Sequence, residues 1–168
     1  LRGRQAMVAE MGGKDRVERQ HQAGRLTVRE RVDRMLDPGS FREVGSVSGF
    51  AEYNADQALK SFHASNCVVG RGTVDGRPVM IAGDDFTLRG GSAEAAIWPK
   101  LRMSETLATQ FRLPLIRMIE GSGGGGSVRS IEKSGRAGLP GGVGGSSGVH
   151  LLAATLTEAP VIGLALGS

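Results

Sequence analysis

The segment that most constrains the fold is CVVGRGTVDGRPVMIAG, residues 67–83, in which two β-rich runs flank the dipeptide Asp75-Gly76. Asp-Gly is a preferred sequence for the type I′ turn that joins two antiparallel strands. A helical pattern over Ala93–Phe111 and an apolar strand pattern in LPLIRMIE, residues 113–120, follow this hairpin. The order strand–strand–helix–strand predicts an α/β fold in which helices cover a sheet.

The first 40 residues are predicted to form an N-terminal helical arm, and residues 41–168 a separate domain. In LTVRERVDRMLDPGS, Thr27 and Glu30 have the spacing of a capping box, and Asp37-Pro38-Gly39 ends the helix. The net charge of +4 lies entirely in residues 1–36, which carry nine Lys and Arg against five Asp and Glu. Because these cations alternate with acids and lack interleaved aromatic residues, the pattern argues against a nucleic-acid partner.

The remaining elements are predicted from weaker patterns. Glu43–Phe50 contains a short strand, and Asn54–His63 is a loop or a short helix. Pro99 lies either in the first turn of a helix that starts late or at a kink. One face of this helix is predicted to be apolar and to contain Ile97, Leu101, Ala108 and Phe111. A second helix near Val143–Leu156 and a strand in PVIGLALG complete the order.

A glycine-rich segment follows the strand 113–120, and twelve of the 27 glycines lie between Gly121 and Gly148. A linker is disfavoured because structured elements flank the segment on both sides. A phosphate loop lacks its lysine, since Ser127 stands where Lys is required. Backbone N–H groups at the end of a strand can instead stabilise a developing oxyanion, and glycines leave room for the substrate.

Other potentially reactive residues are interpreted as structural. Cys67 is the only cysteine, which excludes a disulfide, and it is predicted to be buried and inert. The three histidines do not cluster, and Asp84-Asp85 lacks further metal ligands at a useful spacing, so no metal site is predicted. No stretch approaches 18 apolar residues and no signal peptide opens the chain, which predicts a cytoplasmic protein without a membrane span.

Several segments resemble, in the same order, the carboxyltransferase β subunits of biotin-dependent acyl-CoA carboxylases, the family of propionyl-, methylcrotonyl- and acetyl-CoA carboxylases. They are GRLTVRERVDRMLDPGSFREVG (24–45), VVGRGTVDGRPVMIAGDDFTLRGGSAEAA (68–96), KLRMSETLATQFRLPLIRMIEGSGGG (100–125) and EAPVIGLALGS (158–168). The resemblance implies a crotonase-like fold of ββα units, of which this chain covers most of the N-domain. It also implies an acyl-CoA substrate, a homo-oligomer of the carboxyltransferase subunit, and a partner that contains the biotin carboxylase and biotin carboxyl carrier.

The resemblance further implies a mechanism. Carboxybiotin on the partner loses CO₂ in the site, the biotin ureido nitrogen removes the α-proton of the acyl-CoA, and the enolate attacks CO₂. By position, Gly123, Gly124 and Gly125 donate backbone N–H groups to the thioester enolate oxygen. Many family members read Asp-Ser-Gly-Gly-Ala here, whereas this chain has an extra residue and four consecutive glycines, so the register is open by one or two positions.

The resemblance also assigns Gly90, Gly91, Ser92 and Lys100 to CoA binding. Ser92 as a helix N-cap and Lys100 on a solvated helix face are the structural alternatives.

Two other functions stay open. An acyl-CoA decarboxylase or another crotonase-type isomerase or hydrolase would use a side-chain base, for which Glu120 is the candidate. A non-catalytic fragment or assembly module is the third reading, and the sequence suggests a piece of a longer protein. The acyl chain length and the oligomer size do not follow from the sequence.

Overall fold

A computed structural model of the chain describes residues 2–91, 98–120, 132 and 154–166. The helices are α1 (Arg2–Ala9), α2 (Lys14–Gln22), α3 (Val28–Met35) and α4 (Trp98–Phe111). The strands are β1 (Arg42–Glu43), β2 (Gly49–Tyr53), β3 (Leu59–Ala64), β4 (Cys67–Val74), β5 (Arg77–Asp84), β6 (Leu115–Ile119) and β7 (Val161–Ala165).

Five strands form the main sheet in the order β1-β4-β5-β6-β7, and β2 and β3 form a separate antiparallel pair. Strands β4 and β5 are antiparallel, whereas β5, β6 and β7 run parallel to one another. Helix α4 connects β5 to β6, as a crossover between parallel strands requires. The predicted strand–strand–helix–strand unit is therefore confirmed.

The turn between β4 and β5 has the conformation that its sequence predicts. Asp75 and Gly76 both have positive φ, 49° and 73°, as a type I′ turn requires. The carboxylate of Asp37 accepts hydrogen bonds from both backbone N–H groups, at 3.0 and 2.9 Å, and from the Thr73 hydroxyl at 2.5 Å. These bonds, that of Thr73 first, lower the pKa of Asp37 and tie the end of the α3 segment to the hairpin.

The two faces of the sheet are covered by different helices. On one face, α3 packs against the strands through a cluster of buried apolar side chains: Val28, Val32, Leu36, Val68, Val79, Ile81, Ile116 and Met118. On the other face, Ala108 of α4 packs in a cluster with Cys67, Val69, Met80, Ala82 and Leu115. Because both faces are buried, β4, β5 and β6 read as nearly continuous apolar runs.

Helix α3 begins at the predicted capping box. The Thr27 side chain accepts from the Glu30 N–H, and the Glu30 carboxylate accepts from the Thr27 N–H at 2.7 Å. That backbone bond is the first cause that lowers the pKa of Glu30 to about 2; His21, 3.0 Å away, adds to it. Helix α3 shares the core with the sheet, and the division of the chain at residue 40 stays a prediction.

Two predictions from weak patterns were wrong. Residues 59–64 form β3 and pair with β2 instead of forming a loop or helix, because a partner strand supplies the hydrogen bonds that this polar stretch cannot specify alone. Phe111 is 59% exposed instead of joining the apolar face. The buried positions of α4 include Lys100, Ser104, Glu105 and Ala108, and Phe111 is the last residue of the helix.

A third prediction, a short strand over Glu43–Phe50, was also wrong, because β1 ends at Glu43 and β2 begins at Gly49. Pro99 lies in the first turn of α4 as the structure shows that helix, and β6 and β7 lie where their apolar runs predict them. Residues 154–158 are helical, and the rest of the predicted helix 143–156 lies outside the described residues. Within the described segments, no helix combines the length and apolar character that crossing a bilayer demands.

Candidate functional site

The candidate site lies at the carboxyl edge of β5 and β6, where the two parallel strands end side by side. Asp84 is the last residue of β5, and Glu120 directly follows β6. The backbone N–H of Glu120 donates to Oδ2 of Asp84 at 3.3 Å, which closes this edge. The glycine-rich segment therefore begins at the carboxyl end of a central parallel strand, the edge where open α/β sheets bind ligands.

Glu120 is a buried acid at this edge, with a side chain that is 1% exposed. Its Oε1 accepts a hydrogen bond from Nη1 of Arg31, which reaches across from α3 and is itself 12% exposed. Its Oε2 is buried and has no hydrogen-bond partner among the described atoms. The charge of Glu120 is thus compensated by one cation, while half of its hydrogen-bonding capacity is unused.

Asp84 lies beside Glu120, and the pKa values of Asp84 and of the next residue, Asp85, are both raised. Burial raises the pKa of Asp84, the Glu120 N–H and Arg117 oppose the rise, and the nearby Glu120 charge adds to it. Burial also raises the pKa of Asp85, against hydrogen bonds from the side chain and N–H of Thr87 at 2.5 and 2.9 Å. Burial therefore favours the protonated form of both aspartates at this strand edge.

The turn that follows β5 contains two of the predicted CoA-binding residues. Arg89, Gly90 and Gly91 all have positive φ, of 52°, 62° and 69°. Glycine adopts this conformation without a steric cost, whereas Arg89 is strained by it. Gly90 and Gly91 thus shape a left-handed turn beside the strand edge, and their role in CoA binding stays a prediction. Ser92 lies outside the described residues.

Lys100 is located away from this turn, in a buried charge cluster on α4. Its side chain is 5% exposed, and Nζ lies 3.2 Å from Oε1 of Glu43. Glu43 also accepts from Nη1 of Arg29 at 2.9 Å. Lys100 is therefore buried, and the structural alternative that placed it on a solvated helix face is wrong. Its contact with CoA stays a prediction, which requires the ammonium group to be shared with Glu43.

The remaining residues singled out from the sequence behave as structural groups. Cys67 is 3% exposed, and burial raises the pKa of its thiol to about 12, so it is an unreactive thiol at neutral pH. His21 bonds Glu30, and His63 lies on the exposed side of β3. Across the described ranges, no group of three or more His, Cys, Asp or Glu side chains is arranged to hold a metal ion.

The predicted oxyanion donors Gly123, Gly124 and Gly125 lie outside the described residues, as does His150. The sequence reasoning missed Arg31, which binds Glu120 across 89 positions. The available signal was its place on α3: Arg31 flanks the buried stripe of Val28 and Val32, so its side chain starts at the edge of the sheet.

Comparisons with known proteins agree with this architecture. The sequence profile of the carboxyl transferase domain matches residues 19–138. The methylmalonyl-CoA carboxyltransferase 12S subunit of Propionibacterium freudenreichii subsp. shermanii is 48% identical over 84 residues, which are 49% of this chain and 16% of the relative. The biotin-dependent acetyl-/propionyl-coenzyme A carboxylase beta5 subunit of Mycobacterium tuberculosis is 36% identical over 111 residues, 66% of this chain and 20% of the relative.

A solved structure extends the likeness to three dimensions. The transcarboxylase 12S crystal structure, a hexamer with methylmalonyl-coenzyme A and methylmalonic acid bound, superposes with a TM-score of 0.62 at 34% identity. The match covers 78% of this chain and 26% of that chain. The predicted crotonase-like α/β fold and its partial domain are thereby confirmed, and the chain spans about a quarter or less of the length of these relatives.

Proposed function

We propose, from the premise that this chain belongs to the carboxyl transferase domain family, that it contributes the acyl-CoA site for carboxyl transfer from carboxybiotin to the α-carbon of an acyl-CoA. The observation that carries the proposal is the match over residues 19–138, which spans the hairpin, α4, β6 and the start of the glycine-rich segment. The relatives' names add the substrate class, since they act on methylmalonyl-, acetyl- or propionyl-CoA.

The described residues suit a reaction whose base is not a side chain of this region. Glu120, the candidate base of crotonase-type isomerases and hydrolases, is 1% exposed and paired with Arg31. Its Oε1 is engaged by the hydrogen bond from Nη1 of Arg31, and no substrate-accessible surface remains on the side chain beyond that 1%. The arrangement favours a positioning role for Glu120 at the start of the glycine-rich segment.

Bound biotin, carried by a partner subunit that also holds the biotin carboxylase, supplies the carboxyl group. The chain's own contribution is to bind the thioester and to stabilise negative charge on its oxygen. We assign this role to the backbone N–H groups of Gly123, Gly124 and Gly125, which follow a strand end anchored by the Glu120 N–H on Asp84. Fixed N–H donors stabilise an oxyanion without reorganisation during the reaction.

A binding measurement tests the substrate class. The full polypeptide is titrated with acetyl-CoA and propionyl-CoA by calorimetry, and saturable binding is expected. Absence of binding to either thioester at millimolar concentration would overturn the proposal.

A pair of substitutions at each glycine tests the oxyanion role. Proline removes the N–H donor, whereas alanine keeps it and adds only a methyl group. We expect the proline variant of at least two of Gly123, Gly124 and Gly125 to lose roughly 100- to 1,000-fold in kcat, and the alanine variants to lose less. Equal losses for alanine and proline at all three positions would indicate a steric effect and contradict the assignment.

A further inference from the structure

The junction between α1 and α2 lies against the turn that follows β5. The backbone N–H of Gly12 donates to Oγ1 of Thr87 at 2.9 Å, and Nη1 of Arg16 donates to the Thr87 carbonyl at 3.3 Å. These contacts span 75 and 71 positions of the sequence. Gly12 and Arg16 both precede residues 19–138, which the profile of the carboxyl transferase domain matches. The N-terminal arm therefore contacts the turn through residues outside the matched domain.

The conformation of the junction directs one backbone donor towards the turn. Residues 10–13 separate α1 from α2. Met11 and Gly13 have positive φ, of 51° and 92°, and their N–H groups donate to carbonyls of the arm itself. Between them, the N–H of Gly12 leaves the arm and donates to Thr87. The junction is thus fixed by its own hydrogen bonds and presents a donor to a distant segment.

The close approach at Gly12 leaves no room for a side chain. A Cβ at this position would overlap the carbonyl group of Thr87 and would lie 2.9 Å from Cβ of Thr87. Because the carbonyl belongs to the backbone, no change of rotamer relieves this overlap. Gly3 in α1, by contrast, has no neighbour outside its own helix backbone within 4 Å of its Cβ position. Gly12 and Gly3 therefore differ in whether a methyl group can be added.

Thr87 connects the arm to the edge of the main sheet. Its hydroxyl accepts from Gly12 and donates to Oδ1 of Asp85 at 2.5 Å, and both Thr87 and Asp85 are 3% exposed. The N–H of Asp85 donates to the carbonyl of Asn66, directly before β4, at 2.7 Å, and the Asp85 carbonyl accepts from the N–H of Leu88 at 3.2 Å. Loss of a partner within such a buried chain of hydrogen bonds leaves a polar group unsatisfied.

The turn that is held in this way has a backbone conformation that is costly by itself. Arg89, Gly90 and Gly91 have positive φ in succession, and this conformation is unfavourable for an arginine. A strained backbone persists where the surrounding contacts determine it, and such segments are common at ligand-binding sites. The contacts of the arm with Thr87, two residues before Arg89, supply a constraint of this kind.

We propose that Gly12 is a positioning residue, which acts through Thr87 to hold Gly90 and Gly91 at the carboxyl edge of the sheet in the conformation that the substrate binds. The N-terminal arm thus sets the substrate affinity of the domain without contacting the reacting atoms. The identity of the substrate as an acyl-CoA rests on the proposed function, whereas the fixing of the turn rests on the contacts alone.

The test compares Gly12→Ala with the matched control Gly3→Ala in the full polypeptide. Hydrogen–deuterium exchange is measured in residues 86–91, where the N–H groups of Leu88 and Gly91 are hydrogen-bonded at 3.2 and 3.1 Å. The β4–β5 hairpin, residues 67–84, is the internal reference for global unfolding. The dissociation constant for propionyl-CoA is measured by calorimetry on the same variants.

The substitutions Thr87→Val and Thr87→Ser form a second pair. Valine removes the hydroxyl at nearly equal size, whereas serine keeps it. This pair adds no bulk at the junction, so it tests the same hydrogen bond even where Gly12→Ala does not fold. The circular dichroism spectrum and the unfolding midpoint confirm that each variant is folded.

We expect Gly12→Ala and Thr87→Val to raise exchange in residues 86–91 roughly tenfold, while exchange in the hairpin changes less than about twofold. Gly3→Ala and Thr87→Ser should exchange as wild type does. The double variant Gly12→Ala/Thr87→Val should exchange no faster than the faster single variant, because both changes remove the same hydrogen bond. The dissociation constant for propionyl-CoA should rise roughly tenfold in the two variants that release the turn, because a turn that is not preorganised must be ordered on binding.

Unchanged exchange of residues 86–91 in Gly12→Ala would overturn the positioning role, and so would an equal rise in the hairpin or in Gly3→Ala. A rise in the double variant equal to the product of the two single rises would show independent effects and would also contradict it. Faster exchange without loss of propionyl-CoA affinity would overturn the link to the substrate and leave the proposed function intact. Faster exchange in a protein whose wild type binds no acyl-CoA would support the fixing of the turn by Gly12 and overturn the proposed function.

Discussion

Helix α3 holds two arginines that each bind an acid of the main sheet, but the two acids are neutralised to different extents. Glu43 receives two cations, Arg29 and Lys100, and both of its carboxylate oxygens are engaged. Glu120 receives only Arg31, keeps one buried oxygen without a partner among the described atoms, and lies beside a second acid, Asp84. The neutralised cluster lies between α4 and β1 in the body of the fold, whereas the incompletely satisfied pair lies at the strand edge that leads into the glycine-rich segment. Each cluster keeps one buried atom without a hydrogen-bond partner among the described residues, Arg29 Nε and Glu120 Oε2, so the two clusters differ in the charge compensation of the acid.

The largest effect is expected from Arg31→Ala. It would leave Glu120 buried without a cation, so the free energy of unfolding should fall by about 3–5 kcal/mol. Arg29→Ala should cost less, about 1–2 kcal/mol, because Lys100 still compensates Glu43 and Arg29 is partly exposed. Denaturant titration of the full polypeptide measures both, with the exposed Arg34→Ala on the same helix as the control, expected within about 0.5 kcal/mol of wild type. A cost for Arg29→Ala equal to that of Arg31→Ala would remove the distinction between the two clusters.

An effect of intermediate size is expected from a double-mutant cycle on the two cations that bind Glu43. Arg29→Ala and Lys100→Ala each leave Glu43 with one cation, but the double variant leaves this acid, whose side chain is 13% exposed, with none. The double variant should therefore lose more stability than the sum of the single variants, by about 0.5–3 kcal/mol. The pair Arg29→Ala and Arg31→Ala acts on different acids and should be additive within about 0.5 kcal/mol. Additivity of the Glu43 pair as well would show that the two cations act independently.

The smallest effect concerns the acid beside Glu120. Burial raises the pKa of Asp84 in the folded state above its unfolded value, so the folded state holds the proton to higher pH. Stability from this group is complete below the unfolded pKa and is lost as the pH rises through the folded pKa. Asp84→Asn should therefore reduce the loss of unfolding free energy that occurs as the pH rises through the folded pKa of Asp84.

Glu30 provides a contrast, because its pKa is shifted in the opposite direction. Its pKa is lowered to about 2, so its contribution is present above the ordinary value of 4.5 and is lost as the pH falls towards 2. Glu30→Gln should therefore lower the unfolding free energy above pH 4.5 and reduce its fall between pH 4.5 and 2. If Asp84→Asn instead changed the profile as Glu30→Gln does, Asp84 would be an ionised partner and not a desolvated acid.

The candidate site was only partly accessible from sequence patterns, and individual residues show why. Gly90 and Gly91 were marked by the Gly-Gly-Ser resemblance, and the structure places both at positive φ beside the strand edge. Lys100 was marked by the same kind of argument, yet its ammonium group is buried against Glu43. The resemblance identifies which positions matter to a family, but it does not say which partner a long side chain reaches.

The features that can be predicted from the sequence depend on local interactions. The Asp75-Gly76 turn, the Thr27–Glu30 capping box and the apolar strand that ends at Ile119 follow from interactions between residues a few positions apart. The physical reason is that backbone dihedral preferences and caps depend on near neighbours and are legible in a short window.

The pairing of distant charged side chains depends on long-range packing. Arg31 and Glu120 are 89 positions apart, and Arg16 meets the Thr87 carbonyl across 71. The sequence alone does not show which of the chain's cations reaches Glu120 or the Thr87 carbonyl. The choice depends on which helix packs on which face of the sheet, and that is fixed by burial of the apolar stripe of α3 and not by the charged residues themselves.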